Sequence, residues 1–288
     1  MLRIFTDTDT DITPEVAKEF GYNLISMPYS YDGNTVFPYE DFDTFESKKF
    51  YDMLRSGVIP TTSAISKEKY IGYFKPVFEA GDDILYVHFS RAMTATFEGM
   101  DEAVAELKAQ FPERKFYAVD TKAITIGALS LVYEVGDLYK AGKSAEEIVS
   151  WVEKERDHFA IYFFADDLKF FKRSGRVSGI AATMGNMIGI RPIIYISDEG
   201  KMVNIGKERG RENALKRLVS YAKELGDDIK GHRVIIAHAD APELASLLEA
   251  KLREEFGDLN IITVVANPTV GSHCGPDSVG VSFHAIHR

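Results

Sequence analysis

Three groups of side chains are of types, and at spacings, that could do chemistry. The first is a set of short hydroxyls, Ser90, Thr94 and Thr96, within His88-Phe-Ser-Arg-Ala-Met-Thr-Ala-Thr-Phe-Glu-Gly99. An apolar run at 84–87 leads in and a helical pattern from about 97 to 107 leads out, so these hydroxyls sit in a strand-to-helix turn. Such a turn aims backbone N–H groups and the positive end of the helix dipole at one place. A hydroxyl there can donate to an anion or simply cap the helix. The second group, Thr61-Thr62-Ser63 with Ser66, lies on another short loop of the same half. Two such loops could clasp one small acidic group.

The third group is Asp7-Thr-Asp-Thr-Asp11. A calcium loop is excluded, because Ile12 stands where the turn glycine belongs and Lys18 where the bidentate Glu belongs. Asp9-x-Asp11-x-Thr13 fits a Mg²⁺-dependent phosphohydrolase, with one Asp attacking phosphorus and the other serving as acid and base. Asp166-Asp167 after an apolar strand could then hold the Mg²⁺. Against this, the pattern starts three residues after the apolar run ends, and no lysine is well placed. Helix capping and loop hydrogen bonding compete for the same residues.

Elsewhere, Lys172, Arg173 and Arg176 surround Gly175 in a basic turn that suits either a solvated face or a phosphate or carboxylate contact. A Gly/Pro-rich loop at 268–280 carries His273, better placed for function than His158 or His232, which stand at element ends. Cys274 beside it has no paired base and reads as a small packing residue. His284 and His287 have no acidic partner nearby, so no metal is expected. The glycines between 175 and 189 lack the strand–turn–helix context of a dinucleotide fingerprint, so no cofactor is expected either. No catalytic base is evident, and the expectation is a binding protein rather than an enzyme.

These groups need elements to position them. Short apolar strands are expected at 2–6, 23–30, 84–87 and 115–119. They alternate with helices at 14–20, 44–56, 66–78 and 97–107, and two more follow at 125–140 and 144–158. Thr13 or Asp11 would cap the first helix, with Pro14 at its first position. Strands alternating with helices imply an α/β domain, with a parallel sheet and helices on both faces. In such sheets ligands bind at the carboxyl ends of strands, where Thr6-Asp7, Ser90 and Asp120-Thr121 all fall.

Near 159 the texture changes. Strands at 159–165, 192–196, 202–205, 234–239, 260–265 and 279–286 mix with helices at 166–172, 180–188, 209–225 and 242–256. Asp198-Glu-Gly-Lys201 reads as a hairpin. The expectation is a second, α+β domain with a mainly antiparallel sheet, giving domains at 1–158 and 159–288.

The chain has 288 residues and a formal net charge of −10, with no Lys/Arg-rich block. That argues against nucleic acid and anionic membranes as partners. A single cysteine excludes an internal disulfide and a cysteine-based metal cluster. No apolar run approaches the ~20 residues of a membrane span. With no signal peptide in view, a cytoplasmic protein is expected.

Taken together, several stretches resemble the DegV family of bacterial fatty-acid-binding proteins. They are Phe5-Thr-Asp-Thr-Asp-Thr-Asp-Ile, Thr62-Ser63-Ala-Ile-Ser66, Met93-Thr-Ala-Thr-Phe97, Val119-Asp-Thr, Phe171-Lys-Arg-Ser-Gly-Arg-Val-Ser178, Arg191-Pro-Ile-Ile, Arg209 before a helix, and His273-Cys-Gly-Pro-Asp-Ser-Val-Gly280. The pieces cover nearly the whole chain, and their order and spacing together are more specific than any one of them. The resemblance implies a two-domain carrier that encloses one long-chain fatty acid, such as palmitate, stearate or oleate. It also implies a partner, a separate ATP-dependent fatty acid kinase that converts the presented carboxylate to acyl phosphate for phospholipid synthesis. Carried over, the carboxylate ligands are Thr62, with Ser63 beside it, and Thr94 with Ala95. Arg209 and His273 correspond to the cleft and partner-facing pair.

This chain departs from the family pattern in three places. Thr94 stands for a serine, Ala95 for a glycine, and Ala64-Ile65 for Gln-Pro. The hydroxyl survives at 94 with an added methyl. The changes at 95 and 64–65 bear on ligand geometry more than ligand class. Ile124, Ile126, Phe163 and Met184 are the apolar candidates for lining an acyl tunnel.

Overall fold

A strand buried on both faces needs apolar residues at successive positions, as at 84–87. In the computed structural model, which describes residues 1–178 and 189–288, the first half carries β1 (Leu2–Asp7), β2 (Tyr22–Ile25), β3 (Tyr29–Tyr31), β4 (Asn34–Val36), β5 (Thr61–Thr62), β6 (Asp83–His88) and β7 (Phe116–Asp120). Four of these form a wholly parallel sheet in the order β2-β1-β6-β7. One face sends Phe5, Ile84 and Tyr86 toward helices Lys67–Glu79 and Thr96–Gln110. The other sends Ile4, Leu85 and Val87 toward helix Thr125–Lys140.

The second half carries β8 (Phe159–Phe164), β9 (Val177–Ser178), β10 (Ile190–Ile196), β11 (Met202–Arg209), β12 (Val234–His238), β13 (Ile261–Val265) and β14 (Val279–His284). They form one sheet in the order β13-β12-β14-β8-β10-β11-β9. Pairing is antiparallel except at β12–β13 and β9–β11, so the sheet is mixed and mainly antiparallel. Helices Arg211–Leu225 and Pro242–Phe256 cover one face through Leu215, Leu218, Leu248 and Leu252. The other face, with Phe159, Ile161, Ile235 and Ala237, turns inward to helix Thr125–Lys140.

That central helix is buried along most of its length, as expected of a helix that is apolar all round. Two glycines allow the close approach. A Cβ at Gly136 would sit 2.4 Å from the Phe20 ring, and one at Gly127 would sit 3.1 Å from Ile161 Cγ2. Any larger side chain at either position pushes the helix off its neighbours.

The structure departs from the sequence expectations in instructive ways. The strand expected at 23–30 is broken at 26–28, and its second part, β3, joins β4 and β5 in a separate three-stranded sheet. After Tyr31 the chain reverses with positive φ at Asp32 and Gly33, the signature of a two-residue hairpin. The loop at 60–63 contains β5, held by Tyr29↔Thr62 pairing. The loop at 268–280 contains helix Pro268–Cys274, capped by Asn267, whose Oδ1 accepts from Thr269 N–H and Val270 N–H. Arg209 ends β11 and does not begin the helix after it. The helix expected at 180–188, with Met184, lies outside the described residues. Among those described, no helix is long and apolar enough to cross a membrane.

Candidate functional site

The carboxyl ends of β1, β6 and β7 point toward the inner face of the seven-stranded sheet, and the loops there are tied across the gap. Asn267 N–H and Nδ2 both donate to Asp11 Oδ1 at 2.8 Å. Thr269 Oγ1 donates to the Met27 carbonyl (3.0 Å), Ser90 Oγ to the Gly200 carbonyl (2.8 Å) and Tyr51 Oη to the Ala266 carbonyl (2.8 Å). Those bonds lie around a cavity of about 230 Å³. One water needs only ~10–15 Å³, so the space admits a guest far larger than water.

The wall has a partly exposed, mostly polar part and a buried, mostly apolar part that also carries Asp9, Thr96, Thr125, His238, Thr269 and Ser278. Thr62, Ser63, Ala64, Thr94, Ala95, Arg176 and His273 line it and remain at least partly exposed. Met27, Phe89, Ile126, Ile161, Phe171, Met202, Ala237 and Val279 line it from buried positions. The carried-over residues Thr62, Ser63, Thr94, Ala95 and His273 therefore share one wall. So do Ile124, Ile126 and Phe163. Arg209 does not: it is exposed at the end of β11, and the arginine in the wall is Arg176.

Local hydrogen bonds decide which hydroxyls can serve a guest. Ser90 Oγ is used twice, donating to Gly200 and accepting from Ala92 N–H. Ser66 caps helix Lys67–Glu79 by accepting from Lys69 N–H. Thr96 Oγ1 accepts from Ile65 N–H. These three are structural. Thr94 Oγ1 accepts from Thr96 N–H (3.1 Å), which leaves its own proton to donate. Thr62 Oγ1 lies 2.9 Å from His273 Nε2. With the imidazole proton on Nε2, the ring donates to Thr62 and the Thr62 proton is turned to the cavity.

Burial dominates the electrostatics. It pulls His273 down to about 4, helped by the nearby Arg176 charge, so the ring is neutral at pH 7. Burial pushes Asp7 up to about 7 despite donors from Phe89 N–H, Tyr86 O–H and Asp9 N–H. It pushes Asp11 up to about 6 and Asp9 well above the carboxylate range, with the Asp7 and Asp11 charges adding to the effect on Asp9. For Asp7 the folded value lies above the unfolded one. Between pH 4 and 7 the folded chain thus holds a proton that the unfolded chain has lost, and this group's stabilisation fades as pH rises. Asp7→Asn removes that dependence. Its stability relative to the parent is expected to improve by a few kcal/mol from pH 4 to pH 8, read from urea midpoints of both proteins; a constant difference would refute it.

The same facts correct the phosphohydrolase expectation. Asp11 has both oxygens occupied, by Asn267 and by Thr125 Oγ1. Burial and the Asp7 and Asp11 charges disfavour the ionised form of Asp9. Asp166 is paired with Arg191 and Arg211 rather than placed to hold Mg²⁺. Among the described residues, no His, Cys, Asp or Glu cluster could hold a metal. Cys274 is buried and its thiol is pushed up to about 12, consistent with a packing role.

Comparison with known proteins gives concordant matches. The family model described as "Uncharacterised protein, DegV family" matches residues 1–285. A DegV domain-containing protein of Clostridium perfringens is 33% identical over 284 residues, covering 97% of this chain and 96% of its own. Among solved structures, a fatty-acid-binding DegV family protein from Thermus thermophilus superposes with a TM-score of 0.87 at 21% identity, covering 99% of both chains. A stearic acid-binding protein from Eubacterium ventriosum gives 0.87 at 18% identity, covering 99% of this chain and 98% of the other. The parallel sheet, the mixed sheet facing it and the match along nearly every residue point one way: this chain belongs to the DegV family.

Proposed function

We propose that the protein binds one long-chain fatty acid with its tail inward and its carboxylate at the mouth, as a carrier and not an enzyme. The observation that carries this is the lining of one cavity: hydroxyls and a neutral imidazole where the wall is partly exposed, and mostly apolar side chains where it is buried. Burying a methylene contributes ~0.8 kcal/mol, so a sixteen-carbon tail supplies on the order of 10 kcal/mol before ordering losses. The tail then sets affinity, and Thr62 with Thr94 sets orientation. Ser63 and Ala95 sit beside them in the wall, and Arg176 supplies a positive charge there. The fatty-acid binding named for the structural relatives supports the ligand class.

The carboxylate at an exposed mouth suits handover to a separate fatty acid kinase that forms the acyl phosphate, a partner that rests on the family resemblance. In this reading Arg209, exposed and outside the wall, belongs to the partner-facing surface. A hydrogen bond to a charged group is worth about 1.5–3 kcal/mol. Thr62→Val with Thr94→Val is therefore expected to weaken palmitate binding on the order of 100-fold and to suppress acyl phosphate formation with kinase and ATP. Undiminished affinity and turnover in the double variant would move the head-group site elsewhere. Mass spectrometry of organic extracts from the native protein identifies the acyl chain directly.

A further inference from the structure

Asp9 has no part in the reading above, yet it lies in the cavity wall. It is 6% exposed, and its Oδ1 is buried without a hydrogen-bond partner. A buried carboxyl oxygen left unpaired is costly, and the cost is smaller when the carboxyl is protonated.

Its neighbours place it at the head-group end. On one side, Asp7 Oδ2 accepts from Phe89 N–H, where the turn that carries Ser90 and Thr94 begins. On the other side, the Thr8 carbonyl accepts from Asn267 Nδ2, the cap of helix Pro268–Cys274, which carries His273. Asp9 thus stands between the turn that carries Thr94 and the helix that carries His273.

The groups around it are acidic or neutral. Its own stretch brings Asp7 and Asp11, β6 brings Tyr86 and helix Lys67–Glu79 brings Tyr70. Helix Pro268–Cys274 brings neutral His273 and the unreactive thiol of Cys274. Among the described residues the cation in the wall is Arg176, which is exposed. An ionised Asp9 would face two acids and then the incoming carboxylate. Two carboxyl groups sharing one site hold a proton between them.

We propose that Asp9 stands in the wall as a carboxylic acid and donates its O–H to the fatty acid carboxylate, so that the bound anion and one protein-held proton form a pair. This deepens the fatty-acid reading and rests on it. Burial and the flanking acids favour the protonated form of Asp9. The proton stays on Asp9, and the ligand remains an anion at the mouth.

Infrared spectroscopy of the full chain loaded with carboxyl-¹³C palmitate tests this, because the isotope separates ligand from protein bands. The expected result is a ligand in the carboxylate form, with an unlabelled protonated-carboxyl band that shifts on loading. Growth on 4-¹³C-aspartate moves that band, assigning it to aspartate without a substitution. Asp9→Asn, which keeps a neutral N–H donor, abolishes the band and keeps near-parental affinity. Asp9→Ala weakens binding on the order of tenfold or more. Palmitate bound with no responsive acid band, or a band that still shifts on loading in Asp9→Asn, overturns the proposal and leaves the carrier reading standing. A chain that takes up no palmitate overturns both.

Discussion

Each methylene added to a saturated fatty acid is expected to lower its dissociation constant about fourfold until the chain outgrows the cavity. From ten to sixteen carbons this compounds to on the order of a thousandfold, the largest effect that follows from the binding reading. The reason is the composition of the wall. Behind Thr62, Thr94 and His273 lie Met27, Ile126, Ile161, Phe171, Met202 and Val279, so each added methylene leaves water for an apolar surface. Ordering the flexible tail opposes this, which makes the fourfold step an upper value. The head group contributes a constant to every member of the series. Displacement of a fluorescent fatty acid by the saturated series reads the slope, and the length at which affinity stops rising reads the depth of the cavity. A flat series would mean that the tail is not inside. A series that rises with no plateau would mean that it extends past the mouth.

How far such a site can be read from sequence depends on what holds each residue in place. Residues 84–87 form a buried strand because parallel strands covered on both faces are apolar at every position. Helices Thr125–Lys140 and Pro242–Phe256 end where periodicity, Pro242 and Gly257 say they should. β5 is different: two residues become a strand only because Tyr29 pairs with Thr62, and no local pattern encodes that. Helix Pro268–Cys274 hides behind glycines that serve packing. A Cβ at Gly271 would lie 2.7 Å from Tyr51 Oη. Its one local signal is Asn267 before Pro268, an N-cap followed by a proline at the first helical position.

The site divides the same way. Thr62, Thr94 and His273 come from distinctive loops and meet in one wall. Asp9 reads as a capping residue, and only tertiary burial turns it into a buried acid in a cavity wall. Arg176 reads as part of a solvated basic turn. It is indeed exposed, yet it lines the cavity that Arg209, carried over from the family pattern, does not reach.

Asp11→Ala is expected to remove about 3–6 kcal/mol of stability, a large share of the ~5–15 kcal/mol typical of folded proteins. Asp11 joins three parts of the molecule. Its Oδ1 accepts from Asn267 N–H and Nδ2, and its Oδ2 accepts from Thr125 Oγ1. Asn267 caps the helix that carries His273, and Thr125 opens the central helix with φ at +51°. A β-branched residue at positive φ is strained and persists only where its surroundings hold it. Truncation leaves buried donors on Asn267 and Thr125 unpaired and frees that strain.

One term works the other way. Burial raises Asp11 to about 6, so at pH 7 the parent bears the penalty of an ionised buried carboxylate that the variant lacks. The loss should therefore be greater at pH 5 than at pH 7.5. Asp11→Asn keeps an acceptor for Asn267 and can donate to Thr125 Oγ1, and should lose less than Asp11→Ala. Urea denaturation of the three proteins at both pH values measures all of this. Equal stability of Asp11→Ala and the parent would show that the two sheets are held together without this carboxylate. Fatty-acid affinity lost well below the unfolding transition would show that Asp11 also keeps His273 in register with Thr62.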